Sequence, residues 1–169
     1  VVQQEKNLKL IIAGNGSLEG ELKELCKALG VDEFVEFAGM VQDAKELLRN
    51  AALFVLPSRA EGLSNALLEA MSHGLPCIAT NVGGNAALIG GDNHQKIMPG
   101  EFMTTRNGLL VNPDDIQGIS DAMVYLIRNR MEREEMGRKA RVYIGKNYSI
   151  DLIADKYIAL YQRTLDRMS

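Results

Sequence analysis

Tryptophan is absent and proline occurs only four times in 169 residues, so the chain holds no proline-rich linker and no low-complexity tract of that kind. No apolar run approaches the roughly 20 residues of a membrane-crossing helix. The opening stretch from Val1 to Asn7 is polar where a secretory signal would turn hydrophobic. Only two cysteines are present, Cys26 and Cys77, far apart and inside apolar runs. That arrangement offers neither zinc-ligand spacing nor a disulfide framework, and both read as reduced core residues of a cytoplasmic protein. Neither sign of charge dominates, with 19 Lys and Arg against 22 Asp and Glu and a net charge of −3. A surface built to coat nucleic acid by neutralising phosphates is therefore not expected.

What is present is an ordinary globular composition, 46% hydrophobic and 24% charged. A chain of this size buries roughly 70% of its unfolded surface and needs no metal or disulfide to hold a core. One domain over 1–169 is the expectation. The first residue is Val rather than Met, and the polar opening runs directly into a strand, so the chain reads as a piece of a longer protein.

Leu8 to Ala13 is a short apolar run stopped by Gly14-Asn15-Gly16-Ser17, a strand meeting a tight turn. Leu18, Leu22, Leu25, Cys26 and Leu29 follow at three- and four-residue intervals, the stripe of a helix packed on a sheet, with Gly30 as its stop. A strand over Phe34 to Phe37 and a short helix from Asp43 to Arg49 come next. Ala52 to Leu56, apolar throughout and halted by Pro57, predicts a central parallel strand. A helix from Leu63 to His73 and a strand from Pro76 to Thr80 continue the alternation. After Val82-Gly83-Gly84 a polar excursion runs to Arg106, of a length more often functional than structural. Gly108 to Val111 resumes as a strand, and helices are expected to Asn129, from Glu132 to Lys146 and from Ile150 to Met168. Such alternation predicts an α/β, Rossmann-like parallel sheet with helices on both faces, ending in a helical segment.

Two stretches carry candidate chemistry. Gly14 and Gly16 between strand and helix let the backbone approach a phosphate at a helix N-terminus. The third glycine is Gly20, one position late for the dinucleotide fingerprint, and the next strand ends in Phe37-Ala38-Gly39 rather than in an acid. A plain tight turn explains the same residues. The second stretch runs from Pro57 to Met71. With Ser64 as N-cap, Leu63, Leu67, Ala70 and Met71 face the sheet while Asn65 and Glu69 share another side. Glu61 lies in the preceding loop with Gly62, and the N–H groups of Leu63, Ser64 and Asn65 point out between the two carboxylates. A diphosphate fits that gap, with hydroxyl groups accepted on either side, the layout of ribose, diphosphate and sugar. Glu61 complementing the helix dipole and Glu69 as a solvated side chain account for the spacing equally well. His73, His94, Lys96 and Arg106 read as structural or solvent-facing.

The Pro57–Met71 stretch resembles the signature of the group 1 retaining glycosyltransferases (family 4), in which two glutamates with seven residues between them bracket a turn and an apolar helix. Leu10 to Gly16, Val35 to Gly39, Leu53 to Ser58, Gly74 to Thr80, Val82 to Gly84 and Gly108 to Val111 resemble, in order, further blocks of that family's C-terminal domain. The resemblance implies the donor-binding half of a GT-B fold. It implies that Glu61 meets the transferred sugar, Glu69 the ribose, and the backbone of Leu63, Ser64 and Asn65 the distal phosphate. Gly39, Met40 and Val41 would approach the base. The implied reaction moves a sugar from a nucleoside diphosphate to an acceptor hydroxyl, with no cofactor and no metal. The implied partner is an N-terminal acceptor domain of the same chain, through which any peripheral membrane association would arise. That domain, and the family's basic pair for the leaving diphosphate, would precede Leu8, so this chain alone is expected to be inactive. Asn85-Ala86-Ala87 departs from the Pro-Glu pair of many members. A nucleotide-sugar 2-epimerase and a non-catalytic sugar-nucleotide or protein-binding module are the alternatives.

Overall fold

A computed structural model describes residues 1–2, 5, 7–91 and 96–168, the side chains of Arg167 and Met168 excepted. By its contacts the chain divides into two compact units, Val1–Asn50 and Ala51–Ser169.

In the first unit β1 (Leu10–Ala13) pairs in parallel with β2 (Val35–Gly39), with a register shift between Ile12 and Ala13. Helix α1 (Glu19–Ala28) lies between them in sequence, and α2 (Lys45–Asn50) follows β2. The start expected for the second strand is displaced: Asp32–Phe34 form a 3-10 turn and pairing begins at Val35. The leucine stripe of α1 is not buried as its spacing predicts. Leu18, Leu22, Leu25 and Leu29 are all exposed, as are Leu10 and Ile11 of β1. Cys26 on that helix is only half-buried, which corrects its expected place in a core.

The second unit is a four-stranded sheet in the order β3 (Phe54–Leu56), β4 (Cys77–Thr80), β6 (Gly108–Val111), β5 (Phe102–Thr104). β4 and β6 are buried at every position, as continuous apolar runs covered on both faces should be. β3 stands at the end of this order and is half-buried throughout, so the expectation of a central strand there is corrected. An apolar run specifies burial on two faces and says nothing of how many edges are paired.

Alternation of side chains along the strands separates two cores. Ile78, Leu109 and Val111 pack with Ala122 and Leu126 of α5 (Ile116–Arg128) and Met136 of α6 (Arg130–Asn147). On the opposite face Gly108 meets Ile89 of α4 (Asn85–Ile89), where a Cβ would come within 2.5 Å. Helix α3 (Asn65–Ser72) packs on β3 and β4 through Leu67, Ala70 and Met71, all fully buried. Burying a leucine such as Leu67 contributes about 1.5–3 kcal/mol. Helix α7 (Ile150–Met168) ends the chain.

The polar excursion after Gly84 is therefore not a structureless loop. It holds α4, with Ala86, Leu88 and Ile89 buried, and β5, which pairs antiparallel to β6. The sheet is parallel across β3, β4 and β6 and closes with this one reversed strand.

Candidate functional site

The loop from Pro57 to Ser64 follows the C-terminal end of β3, where parallel α/β sheets present their ligand-binding turns. Ser64 ends it as the N-cap of α3, its hydroxyl accepting the Leu67 N–H at 3.4 Å. Among the described residues the N–H groups of Leu63, Ser64 and Asn65 have no acceptor. Those of Ser64 and Asn65 are open donors of a helix N-terminus, which carries about half a positive charge, and that of Leu63 stands just before the cap.

Glu69 sits on the exposed side of α3 with Asn65, one turn apart. Leu63 departs from the expected pattern. It precedes the cap, lies outside the helix and is 52% exposed rather than facing the sheet. His73 is the C-cap of α3 and its Nδ1 lies 2.9 Å from the Glu69 carbonyl oxygen, a structural role.

Glu61 is half-buried, and its Oε1 accepts the Ser58 hydroxyl at 2.7 Å. Its main chain is gripped from the turn after β4. The Gly84 N–H donates to the Gly62 carbonyl at 2.8 Å, and Gly83 has φ of 51°. A Cβ at Gly83 would overlap the Glu61 carbonyl oxygen, and one at Gly84 would stand 2.6 Å from that of Gly62. Fully buried Thr80, at the end of β4, donates its hydroxyl to the Ser58 carbonyl at 2.6 Å. The β4 end thus bonds the Glu61 loop at Ser58 and Gly62 and packs Gly83 against the Glu61 carbonyl.

Further along the same edge, Arg59 Nε donates to Asp114 Oδ1 at 2.8 Å, and Asp114 adopts φ of 59°. Asp115 caps α5, accepting from the Gly118 N–H at 2.9 Å and the Gly100 N–H at 2.7 Å. Those two backbone donors, Gly118 first, hold its carboxyl below the ordinary aspartate range.

Gly14, Gly16, Gly39, Met40 and Val41 lie in the first unit. The Gly14 N–H donates to the Gly39 carbonyl at 2.7 Å, which joins the turn after β1 to the end of β2. Gly14 and Gly39 have φ of 121° and 62°, conformations that explain glycine there. Gly16 is exposed with open space around it. Met40 is 73% exposed and Val41 half-buried. His94 falls outside the described residues, while Lys96 and Arg106 are exposed. Among the described residues no three His, Cys, Asp or Glu side chains converge in a metal-binding group, and no helix is long and apolar enough to cross a membrane.

Sequence reasoning missed the grip on the Glu61 loop. The paired glycines after a buried strand were its one signal, since adjacent glycines at a strand end mark close approach of another backbone. Nothing in the pattern singled out Ser58 or Thr80.

The family model for glycosyl transferases group 1 matches residues 1–129. The N-acetyl-alpha-D-glucosaminyl L-malate synthase of Bacillus anthracis is 29% identical over 95% of this chain and 39% of its own length. An uncharacterized glycosyltransferase of Methanocaldococcus jannaschii is 30% identical over 99% of this chain and 40% of its own. The crystal structure of Anabaena HepE in complex with UDP superposes with a TM-score of 0.77 at 20% identity, covering 92% of this chain and 41% of that one. The chain thus spans about two fifths of the length of these three proteins.

Proposed function

The chain belongs to the group 1 glycosyltransferases, and from that premise we propose that it is the donor-binding domain, the C-terminal half of a GT-B enzyme. In this reading it binds a nucleoside-diphosphate sugar, and the whole protein transfers the sugar to an acceptor hydroxyl with its anomeric configuration kept. The observation that carries the proposal is the setting of the α3 N-terminus: open N–H groups at Leu63, Ser64 and Asn65, Glu61 before them and Glu69 on the helix beyond.

Each part follows from the chemistry of the donor. The diphosphate meets the open amides and the positive end of the helix dipole. The Glu69 carboxylate accepts from the ribose hydroxyls, and the Glu61 carboxylate accepts from hydroxyls of the sugar. As the bond to the sugar breaks, negative charge grows on the departing diphosphate, and preorganised N–H donors stabilise it there. Positive charge on the sugar ring is held by Glu61. The acceptor is assigned to an N-terminal domain of the same protein, which is also where contact with a membrane would arise. Two free thiols suit the reducing cytoplasm as the place of action.

No metal is assigned a role, because the helix terminus already presents the positive end that an ion would otherwise supply. The test is calorimetric titration of the chain with UDP, GDP and ADP, with and without EDTA. At least one nucleoside diphosphate should bind, unchanged by EDTA and more weakly as salt rises. Binding that disappears with EDTA and returns with magnesium or manganese contradicts the helix-terminus account. Absence of binding by all three contradicts the donor-domain assignment.

A further inference from the structure

We infer that Ser58 is a positioning residue for Glu61, fixing which carboxylate oxygen is presented to the sugar of the donor. The inference rests on the assignment of Glu61 to the sugar made above. Three observations carry it. The Ser58 hydroxyl donates to Glu61 Oε1 at 2.7 Å, between two half-buried side chains. Ser58 is itself fixed, since fully buried Thr80 donates to its carbonyl at 2.6 Å. Gly83 packs directly against the Glu61 carbonyl and the Gly84 N–H bonds that of Gly62, so the freedom left to the carboxylate lies mainly in its own side-chain torsions.

A glutamate carboxylate accepts through two oxygens, each with two lone pairs. A charge-assisted bond to Oε1 takes one of those sites and orients the plane of the group. Oε2 then keeps its full accepting capacity for sugar hydroxyls. The loop has paid for that orientation before the donor arrives, which raises affinity for the sugar without a contact from Ser58 to the ligand. A serine that served only to shape the loop would affect the nucleotide and the sugar alike, because the same loop leads into the open amides at Leu63 to Asn65.

The test titrates the chain with UDP and UDP-glucose, and with GDP and GDP-mannose, and follows whichever pair binds. Ser58→Ala should weaken the nucleotide sugar about tenfold while leaving the bare diphosphate within about twofold. Ser58→Thr, which keeps the hydroxyl, should restore the nucleotide-sugar affinity. Ser58→Cys, close in shape but a poor donor, should behave as Ser58→Ala and replaces it if that variant does not melt cooperatively. In a double-mutant cycle, adding Ser58→Ala to Glu61→Ala should cause no further loss. Equal weakening of both ligands, failure of Ser58→Thr to rescue, or full additivity in the cycle overturns the positioning role. If Glu61→Ala leaves the nucleotide sugar unaffected, or neither pair binds, the assignment of the site falls instead.

Discussion

Gly83 lies directly against the Glu61 carbonyl, so close that a single methyl group at position 83 has nowhere to go. The contact is between two backbones. Neither partner can yield by rotating a side chain, and Gly83 also holds φ of 51°, which alanine resists.

Gly83→Ala should therefore lower stability by about 2–4 kcal/mol, combining overpacking with the left-handed backbone cost. Gly16→Ala, at an exposed glycine with open space around it, should change it by no more than about 0.5 kcal/mol. Urea unfolding of the two variants beside the parent checks the contrast, and similar losses would contradict it.

Glu69→Ala should weaken a bare nucleoside diphosphate more than Glu61→Ala does, since the ribose belongs to the nucleotide and the sugar does not. Removing a charged hydrogen-bond partner costs about 1.5–3 kcal/mol. Calorimetry with the nucleotide that binds best measures both, and equal losses would leave the two carboxylates without distinct roles.

A pH dependence follows from Asp115. The Gly118 and Gly100 amides hold its folded pKa below the ordinary 3.8. A depressed carboxylate stabilises the fold above the unfolded value and loses that contribution as pH falls through the folded one. Asp115→Asn should thus be less stable than the parent at pH 7, with the difference shrinking below about pH 3.8. Urea midpoints at pH 7 and pH 3 decide it; a constant gap would assign the effect to shape rather than charge.

The two thiols should differ in reactivity. Burial pushes the Cys77 thiol far up, and its Sγ donates to the Leu75 carbonyl at 3.3 Å. Cys26 is half-buried on α1. Alkylation of the native chain, located by peptide mass spectrometry, should modify Cys26 alone, with Cys77 reacting only after unfolding. Prompt modification of Cys77 would mean that the β4 core opens readily.

Most of the alternation of strand and helix was legible because burial writes itself into residue spacing. Leu67, Ala70 and Met71 recur at helical intervals and are buried, and Ser64 announces its own cap. β5 was not legible. Its three residues owe their strand to pairing with β6 across a tight turn in which the Thr105 N–H bonds the Gly108 carbonyl at 2.9 Å, a tertiary effect without periodicity. The end position of β3 was hidden for a related reason, since neighbours in a sheet are chosen by connections far away in sequence. At the candidate site Glu61 and Glu69 stood out through their spacing, whereas the links from Thr80 to Ser58 and from Gly84 to Gly62 join segments about twenty residues apart.

The grip on the Glu61 loop also separates the placement of that loop from the identity of much of its surface. Glu61 and Gly62 are held through main-chain atoms, and Ser58 through its carbonyl. The side chains of Ala60 and Leu63 are both exposed, and neither supplies a hydrogen bond that holds this frame. Those two positions can be diversified at little cost to folding. A library randomised at Ala60 and Leu63 should return mostly folded proteins, a natural starting point for evolving new donor preference on an unchanged scaffold.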